Sequence, residues 1–434
     1  MSNAWKILHL ELSQPVADLS AMPDCARVLL VFWWHHVPIG HCELLAAQLP
    51  MPATQLLNLA AQAVTPAVGC ALLEHGFRAA LPVLSSNPAR DQPPDFQALA
   101  ALQQPLHQLQ AQSINAPTRS VSVIICTRDR SEQLAQCLRS LQALNQPPHE
   151  ILVVDNAPST DATQQLIAQM PHIRYIQEPR PGLSVARNTG IRHSTGEIIA
   201  FTDDDVQVHP DWVTRLQQAF LTEAVMAMTG LMLPAELETE AQQLFQGDSG
   251  GPNWHYQSIV FDFQFFNDMK RRGVPVWRIG AGANMAFRRE IFDRVGLFDE
   301  RLGAGASGCS EDSEFWYRIL AEGWLCRYEP TAVVFHYHRR DMAGLQQQMY
   351  QYMRGHVAAL LVQFARYQHW GNLHRLCIAL PKYYTGLLCW GLVRGFKQRY
   401  RTLPAEISGC FAGVAFYLQN YSLTSSHQQK SKHL

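Results

Sequence analysis

An α/β fold built on a parallel sheet is what this sequence predicts from about residue 120 onward, and three observations predict it. Short apolar runs alternate with segments whose apolar residues recur at helical spacing. Three of those runs end in polar clusters, CTRDR, VVDNAPSTD and FTDDD, and open α/β sheets bind ligands at the carboxyl ends of their strands. Apolar residues make up 47% of the 434-residue chain and charged residues 16%, so a large core can form.

Taken in order, the first region is a small α+β unit over residues 1–95. Its RVLLVFWWHHVPIGHCEL reads as a hairpin, two apolar runs around His35, His36, Val37 and Pro38, followed by helical pieces. Residues 96–118, glutamine-rich with a proline, read as a linker. The α/β domain is expected over residues 119–342. VSVIIC is a continuous apolar run of the kind that buried parallel strands show. In SEQLAQCLRSLQAL, Leu134, Cys137, Leu138, Leu141 and Leu144 share one helical face. EILVVD, IRYIQE and EIIAFTD repeat the strand pattern, with TDATQQLIAQM and GLSVARNTGIRHS as helices between them. Residues 231–275 read as irregular loops covering a site, and residues 343–434 as a helical extension ending in a frayed polar tail.

The formal charge of −1 argues against the basic surface that nucleic-acid binding requires. Ten scattered cysteines, with no C-x-x-C pair and no Cys/His cluster at zinc spacing, fit a reduced, cytoplasmic chain. The N-terminus lacks the basic-then-apolar signature of a signal peptide. Near the C-terminus, YYTGLLCWGLV falls short of the roughly 18–20 apolar residues a spanning helix needs. Its basic and aromatic flanks leave peripheral contact with the inner face of a membrane open.

Asp203, Asp204 and Asp205 close the strand-like run EIIAFTD with three adjacent carboxylates, which repel one another unless something neutralises them. Alternation along a strand would put Asp203 and Asp205 on one side and Asp204 on the other. Such a pair suits Mg²⁺ or Mn²⁺, hard cations that take oxygen ligands and bridge to phosphates. An acidic turn before a helix would give the same three letters.

The company these residues keep resembles the inverting family 2 glycosyltransferases, and the resemblance implies their GT-A fold, with a Rossmann-like mixed sheet. The matching pieces, in order, are VSVIICTRDR, EILVVDNAPSTDAT, PGLSVARNTGI, the EIIAFTDDD block, GAGANMAFRREIFDRVGLFDE, SEDSEFWYR and PTAVVFHYH, covering roughly residues 120 to 355. The resemblance implies a nucleotide-diphospho-sugar donor and transfer with inversion to a carbohydrate or lipid-linked acceptor hydroxyl, in polysaccharide or glycolipid synthesis. It places Thr127 and Arg128 in the nucleotide pocket, Asp155 on the base, and Arg187 near the phosphates. Asp203 is expected at ribose or metal, Asp205 and His336 as metal ligands, with His338 an unresolved rival. Asp204 groups with the donor residues, Asn284 with donor sugar or acceptor, and Glu311 with the acceptor or a loop. Asp312 is the implied general base, and Ser310 can cap the helix that carries it.

Two other readings share these residues. A nucleotidyltransferase also uses an α/β sheet and paired aspartates, but VSVIICTRDRSEQ has no glycine for a phosphate loop. A non-catalytic sugar-nucleotide-binding protein of the same fold is the third. Trp5, Trp33 and Trp34 could form a sugar platform, although aromatic residues in a short β unit are more often core.

Overall fold

The structure is a computed structural model that describes residues 4–74, 119–247 and 255–428. The linker expected at 96–118 and the last residues of the frayed tail lie outside these. Twelve strands are described: β1 (Trp5–Glu11), β2 (Arg27–Trp34), β3 (Val37–Leu45), β4 (Val121–Thr127), β5 (Glu150–Asn156), β6 (Ile173–Glu178), β7 (Ile198–Asp203), β8 (Val206–Val208), β9 (Val225–Pro234), β10 (Ile259–Phe261), β11 (Asn284–Arg288) and β12 (Leu325–His336).

The large sheet runs β10-β12-β9-β11-β7-β4-β5-β6, with β8 paired to β12. Strands β7, β4, β5 and β6 are parallel, as the strand–helix alternation predicts. Beyond β7 the sheet becomes mixed, because β11 runs antiparallel to both β7 and β9. Side chains alternate across the pleat: Val121, Val123 and Ile125 enter one buried cluster while Ile124 enters the other. Helices Ser131–Gln142 and Leu183–His193 cover the two faces with their apolar sides.

The stretch expected to be loops is partly regular. Residues 231–234 complete β9, all ten of whose residues are buried, and a helix (Glu240–Gly247), β10 and a helix (Phe263–Met269) follow. A strand covered on both faces has no polar alternation to betray it.

Strands β1, β2 and β3 form a separate sheet, with β1 parallel and β3 antiparallel to β2. His35 and His36 make the two-residue turn at φ 45° and 65°, the left-handed pair that such hairpins require. The Glu11 carboxylate accepts both of their backbone N–H groups. Trp33 and Trp34 are buried, so both serve the core and neither is a platform for sugar. The unit docks on the large sheet through the Trp5 N–H to Leu237 carbonyl bond and through Trp33, which stacks on His209 at 5.4 Å.

The C-terminal region is helical: Met342–Tyr367, Trp370–His374, a π-turn over Arg375–Ala379, Leu380–Arg394 and Leu403–Gln428. The first and last of these pack closely. A Cβ at Gly409 would stand 2.4 Å from the Tyr350 carbonyl oxygen, so only glycine permits that approach.

Candidate active site

Register brings the polar strand ends level. Thr127 lies opposite Asp155, and Cys126 opposite Asp203. Strand β7 stops at Asp203, and the chain turns through Asp204 and Asp205 before β8. Because the strand has already ended, simple alternation fails: Asp204 and Asp205 share one cation, and Asp203 stands apart from them.

That cation is Arg130, which the sequence did not single out although it ends CTRDR. Its two terminal nitrogens donate to Asp204 Oδ1 at 2.5 Å and Asp205 Oδ2 at 2.7 Å. The Thr127 hydroxyl donates to Asp204 Oδ2 at 2.7 Å. Burial pushes Asp204 up to about 7 even so, against the pull of Arg130. At Asp205 the same burial is outweighed by His336 and Arg130, which hold the carboxyl well below its usual range.

A second cation joins the aspartates to the helix Glu311–Ala321. Arg187 is almost wholly buried, with its guanidinium 5.7 Å from the ring centres of both Phe201 and Phe298. It donates to Glu311 Oε1 at 2.6 Å and approaches Asp203 Oδ1 at 3.6 Å. Asp312 sits beside this pair: its Oδ2 accepts from the Gly282 N–H at 2.8 Å and its Oδ1 from the Ser313 N–H at 2.6 Å. Burial raises the Asp312 pKa, with Arg187 opposing. Gly282 has no room for a side chain, since a Cβ would lie 2.9 Å from Arg187 and 3.1 Å from Asp312 Oδ2. The expected Ser310 cap is absent. Ser310 adopts a left-handed φ of 70°, and its hydroxyl meets the Cys309 thiol instead.

All these groups line one cleft of about 1620 Å³. Thr127, Arg128, Arg187, the three aspartates, Glu311, Asp312 and His336 all border it. Arg128 is exposed there, with Asp129 as a distant ionic neighbour at 3.8 Å.

Two predicted site residues do not border the cleft. Asn284 is fully buried in β11, accepts from Trp212 Nε1 at 2.9 Å, and donates to the carbonyls of Leu231 and Ala332. It braces the sheet, because every one of its polar atoms is already used. Asp155 is also buried and accepts from the Tyr175 hydroxyl at 3.0 Å, while Asp155 Oδ1 has no hydrogen-bond partner in the described structure. Its neighbour Asn156 lines the cleft in its place.

The two histidines separate by geometry. His336 Nε2 is 3.2 Å from Asp205 Oδ1, whereas His338 lies behind it, its Nδ1 3.0 Å from that of His336. Burial lowers His338 to about 3, which keeps it neutral. Asp205 Oδ1 and His336 Nε2, 3.2 Å apart, pair directly with each other, and a carboxylate oxygen and an imidazole nitrogen are also donors that Mg²⁺ or Mn²⁺ accepts. Among the described residues no three His, Cys, Asp or Glu side chains close into a cage, so a cation here would complete its shell from a ligand or water.

Residues 122–296 match the sequence profile described as Glycosyl transferase family 2. Those residues are a family 2 glycosyltransferase domain. The succinoglycan biosynthesis protein ExoM of Rhizobium meliloti is 31% identical over 229 residues, 50% of this chain and 66% of its own length. The pre-mycofactocin glycosyltransferase of Mycobacterium tuberculosis is 26% identical over 231 residues, 52% of this chain and 44% of its own. The chain thus spans less than two thirds of either relative. A mannosyltransferase from Pyrobaculum calidifontis, solved in complex with GDP-Man and Mn2+, aligns over 84% of this chain and 99% of its own with a TM-score of 0.46 and 17% identity. The family 2 domain supplies β4 to β11, apart from the first residue of β4. Asp312 and His336 follow it in the chain and return to its cleft.

Proposed function

We propose that this glycosyltransferase moves a sugar from a nucleotide-diphospho-sugar to an acceptor hydroxyl by a single inverting displacement, with Asp312 as general base. The observation that carries the reading is that Asp312, Asp203 and Asp205 border one cleft, with Arg187 between Glu311 at 2.6 Å and Asp203 at 3.6 Å beside Asp312. Glu311 is the rival base, but it is committed to Arg187 at 2.6 Å. Asp312 takes only backbone N–H groups, which orient it and leave lone pairs for an acceptor proton. Its raised pKa favours proton uptake as the hydroxyl attacks the anomeric carbon and the bond to the diphosphate breaks.

Asp205 and His336 would hold a divalent cation, Mg²⁺ or Mn²⁺, to which their oxygen and imidazole donors are suited, with Asp203 bordering the same cleft and a ligand or water completing the shell. Such a cation supplies charge stabilisation to a diphosphate leaving group. Arg130 sets the shape of the Asp204–Asp205 turn, and Asp203 is left facing the cleft. Asp155 stays behind the cleft wall, where the Tyr175 hydroxyl holds it, so Asn156 beside it is the group left to meet the nucleotide base. Thr127 and Arg128 border the same end.

The test is a panel of nucleotide sugars incubated with the full chain and Mn²⁺, read as released nucleoside diphosphate. Release with one donor, dependent on an added acceptor, supports transfer. Release of pyrophosphate or nucleoside monophosphate would instead establish nucleotidyl chemistry. Inversion is read by NMR of the product's anomeric configuration against that of the donor.

A further inference from the structure

Helix Leu380–Arg394 leaves apolar side chains in water that nothing among the described residues covers. Only Leu380, Tyr384 and Gly391 of that helix are buried. From Leu388 to Gln398 every residue except Gly391 is exposed, among them Trp390 at 53%, Leu392 at 76%, Val393 at 83% and Phe396 at 57%. At 3.6 residues per turn, Leu388, Leu392, Cys389, Val393 and Trp390 together cover an arc of about 200°. A helix lying against a rigid protein needs a stripe nearer 100° wide. An arc twice that wide is covered best by a fluid medium that closes around it.

Charge identifies the medium. Residues 370–420 carry Arg375, Lys382, Arg394, Lys397, Arg399 and Arg401 against the single acid Glu406, in a chain whose formal charge is −1. Glu406 neutralises Arg399, and Glu240 neutralises Arg401. Lys382, Arg394 and Lys397 have no carboxylate partner among the ion pairs of the described residues. Arg394 lies over the Trp390 ring at 3.9 Å, an amphipathic pair suited to the headgroup layer. The run Trp370–Arg394 is long and apolar enough to cross a membrane, with 17% of its most apolar stretch buried. Its start is anchored on the body through buried Gly371, Asn372, Leu380 and Tyr384, although Trp370, Cys377 and Ile378 stay exposed, so the exposure is near-continuous only over the last turns. Free last turns favour an interfacial seat over a crossing.

The same helix borders the cleft. Tyr383 and Tyr384, with Arg399, line the cavity that Asp312 faces. Arg375 lines it as well, its guanidinium 3.8 Å above the Trp277 ring and without a carboxylate partner in the described structure.

We propose that the end of helix Leu380–Arg394 and the loop through Phe396 dock on an anionic lipid bilayer, so that the cleft opens at the membrane surface to a lipid-linked acceptor. The docking does not depend on the transferase reading, whereas the acceptor assignment rests on it. Trp390, Leu392, Val393 and Phe396 enter the interfacial layer. Lys382, Arg394 and Lys397 meet the headgroups, and Arg375 meets a phosphate of the acceptor.

The experiment sediments the full chain with vesicles of phosphatidylcholine, alone or mixed with phosphatidylglycerol. The chain is expected to pellet with the mixed vesicles, less with the neutral ones, and less again in high salt. Leu392→Asp with Val393→Asp should lower the partition about tenfold or more, with an unchanged melting curve because both sites are exposed. Brominated lipid should quench the wild type more than Trp390→Phe. Failure to pellet with either vesicle, or a double variant that binds like the wild type, overturns the proposal. Dimerisation without lipid that the double variant abolishes overturns it too. Nucleoside diphosphate release with a water-soluble acceptor, measured on the same variant, tests the transferase reading separately.

Discussion

The two ends of the parallel strands treat the same residue type in opposite ways. At the N-terminal end, Glu150 begins β5 surrounded by donors: the Ser122 hydroxyl, the Thr195 hydroxyl and N–H, and Arg174. Burial alone would raise its pKa, yet those bonds outweigh it and hold Glu150 at about 2. At the C-terminal end, four carboxylates share the guanidiniums of Arg130 and Arg187 while Asp312 takes only backbone N–H groups, and burial leaves Asp203, Asp204, Glu311 and Asp312 raised. One end has the stability of a fully bonded carboxylate. The other keeps acids short of donors, which is where perturbed pKa values accompany chemistry. The difference teaches that position on this sheet decides whether an acid serves the fold or the reaction.

Four substitutions would break or sharpen that contrast. Asp312→Asn should lower kcat by about 10²–10⁴-fold while donor affinity, measured by calorimetry, and the melting temperature hold; near-wild-type turnover would remove Asp312 as the base. Asn284→Ala should do the reverse. It leaves the Trp212 Nε1 donor and two carbonyls unpaired in the core, so unfolding should show a loss of about 3 kcal/mol with kcat of the folded fraction unchanged. Gly282→Ala pushes Arg187 and Asp312 apart and should cost about tenfold in kcat/KM with little change in stability.

Glu150→Gln is expected to have the smallest effect, about 1 kcal/mol of stability near neutral pH and none on turnover. Because Glu150 is depressed in the folded state, its contribution is complete above the ordinary carboxylate range, near 4.5, and is lost as pH falls toward about 2. Denaturant melts of wild type and variant should therefore converge over that window. A gap that persists at the acid limit would mean that Glu150 acts through packing.

Much of this arrangement is legible in the sequence because parallel strands advertise themselves. VSVIIC, EILVVD and EIIAFTD are short, apolar and followed by polar ends, so the level placing of Thr127, Asp155 and Asp203 follows once they pair. What the sequence hides is direction. Asn284 follows two glycines and looks like a cleft residue, but β11 runs antiparallel to its neighbours and turns that side chain into the sheet. Ser310 has the composition of a cap and the wrong backbone conformation for one. Arg130 sits two residues past Arg128 in the same polar run, and only the turn at Asp204 shows which arginine meets the acids. Asp312 and His336 come from outside the family 2 match, and their convergence on the cleft is a property of the whole chain.

Phe335, the residue before His336, is wedged against the imidazole of His9 at 5.5 Å and near the indole of Trp33 at 6.4 Å. The first fifty residues therefore buttress the strand that delivers His336. A shortened protein starting at residue 119 would lose that backing and bare an aromatic side chain one position from a residue of the cleft. Anyone trimming this chain for crystallisation or fusion should keep the leading hairpin attached.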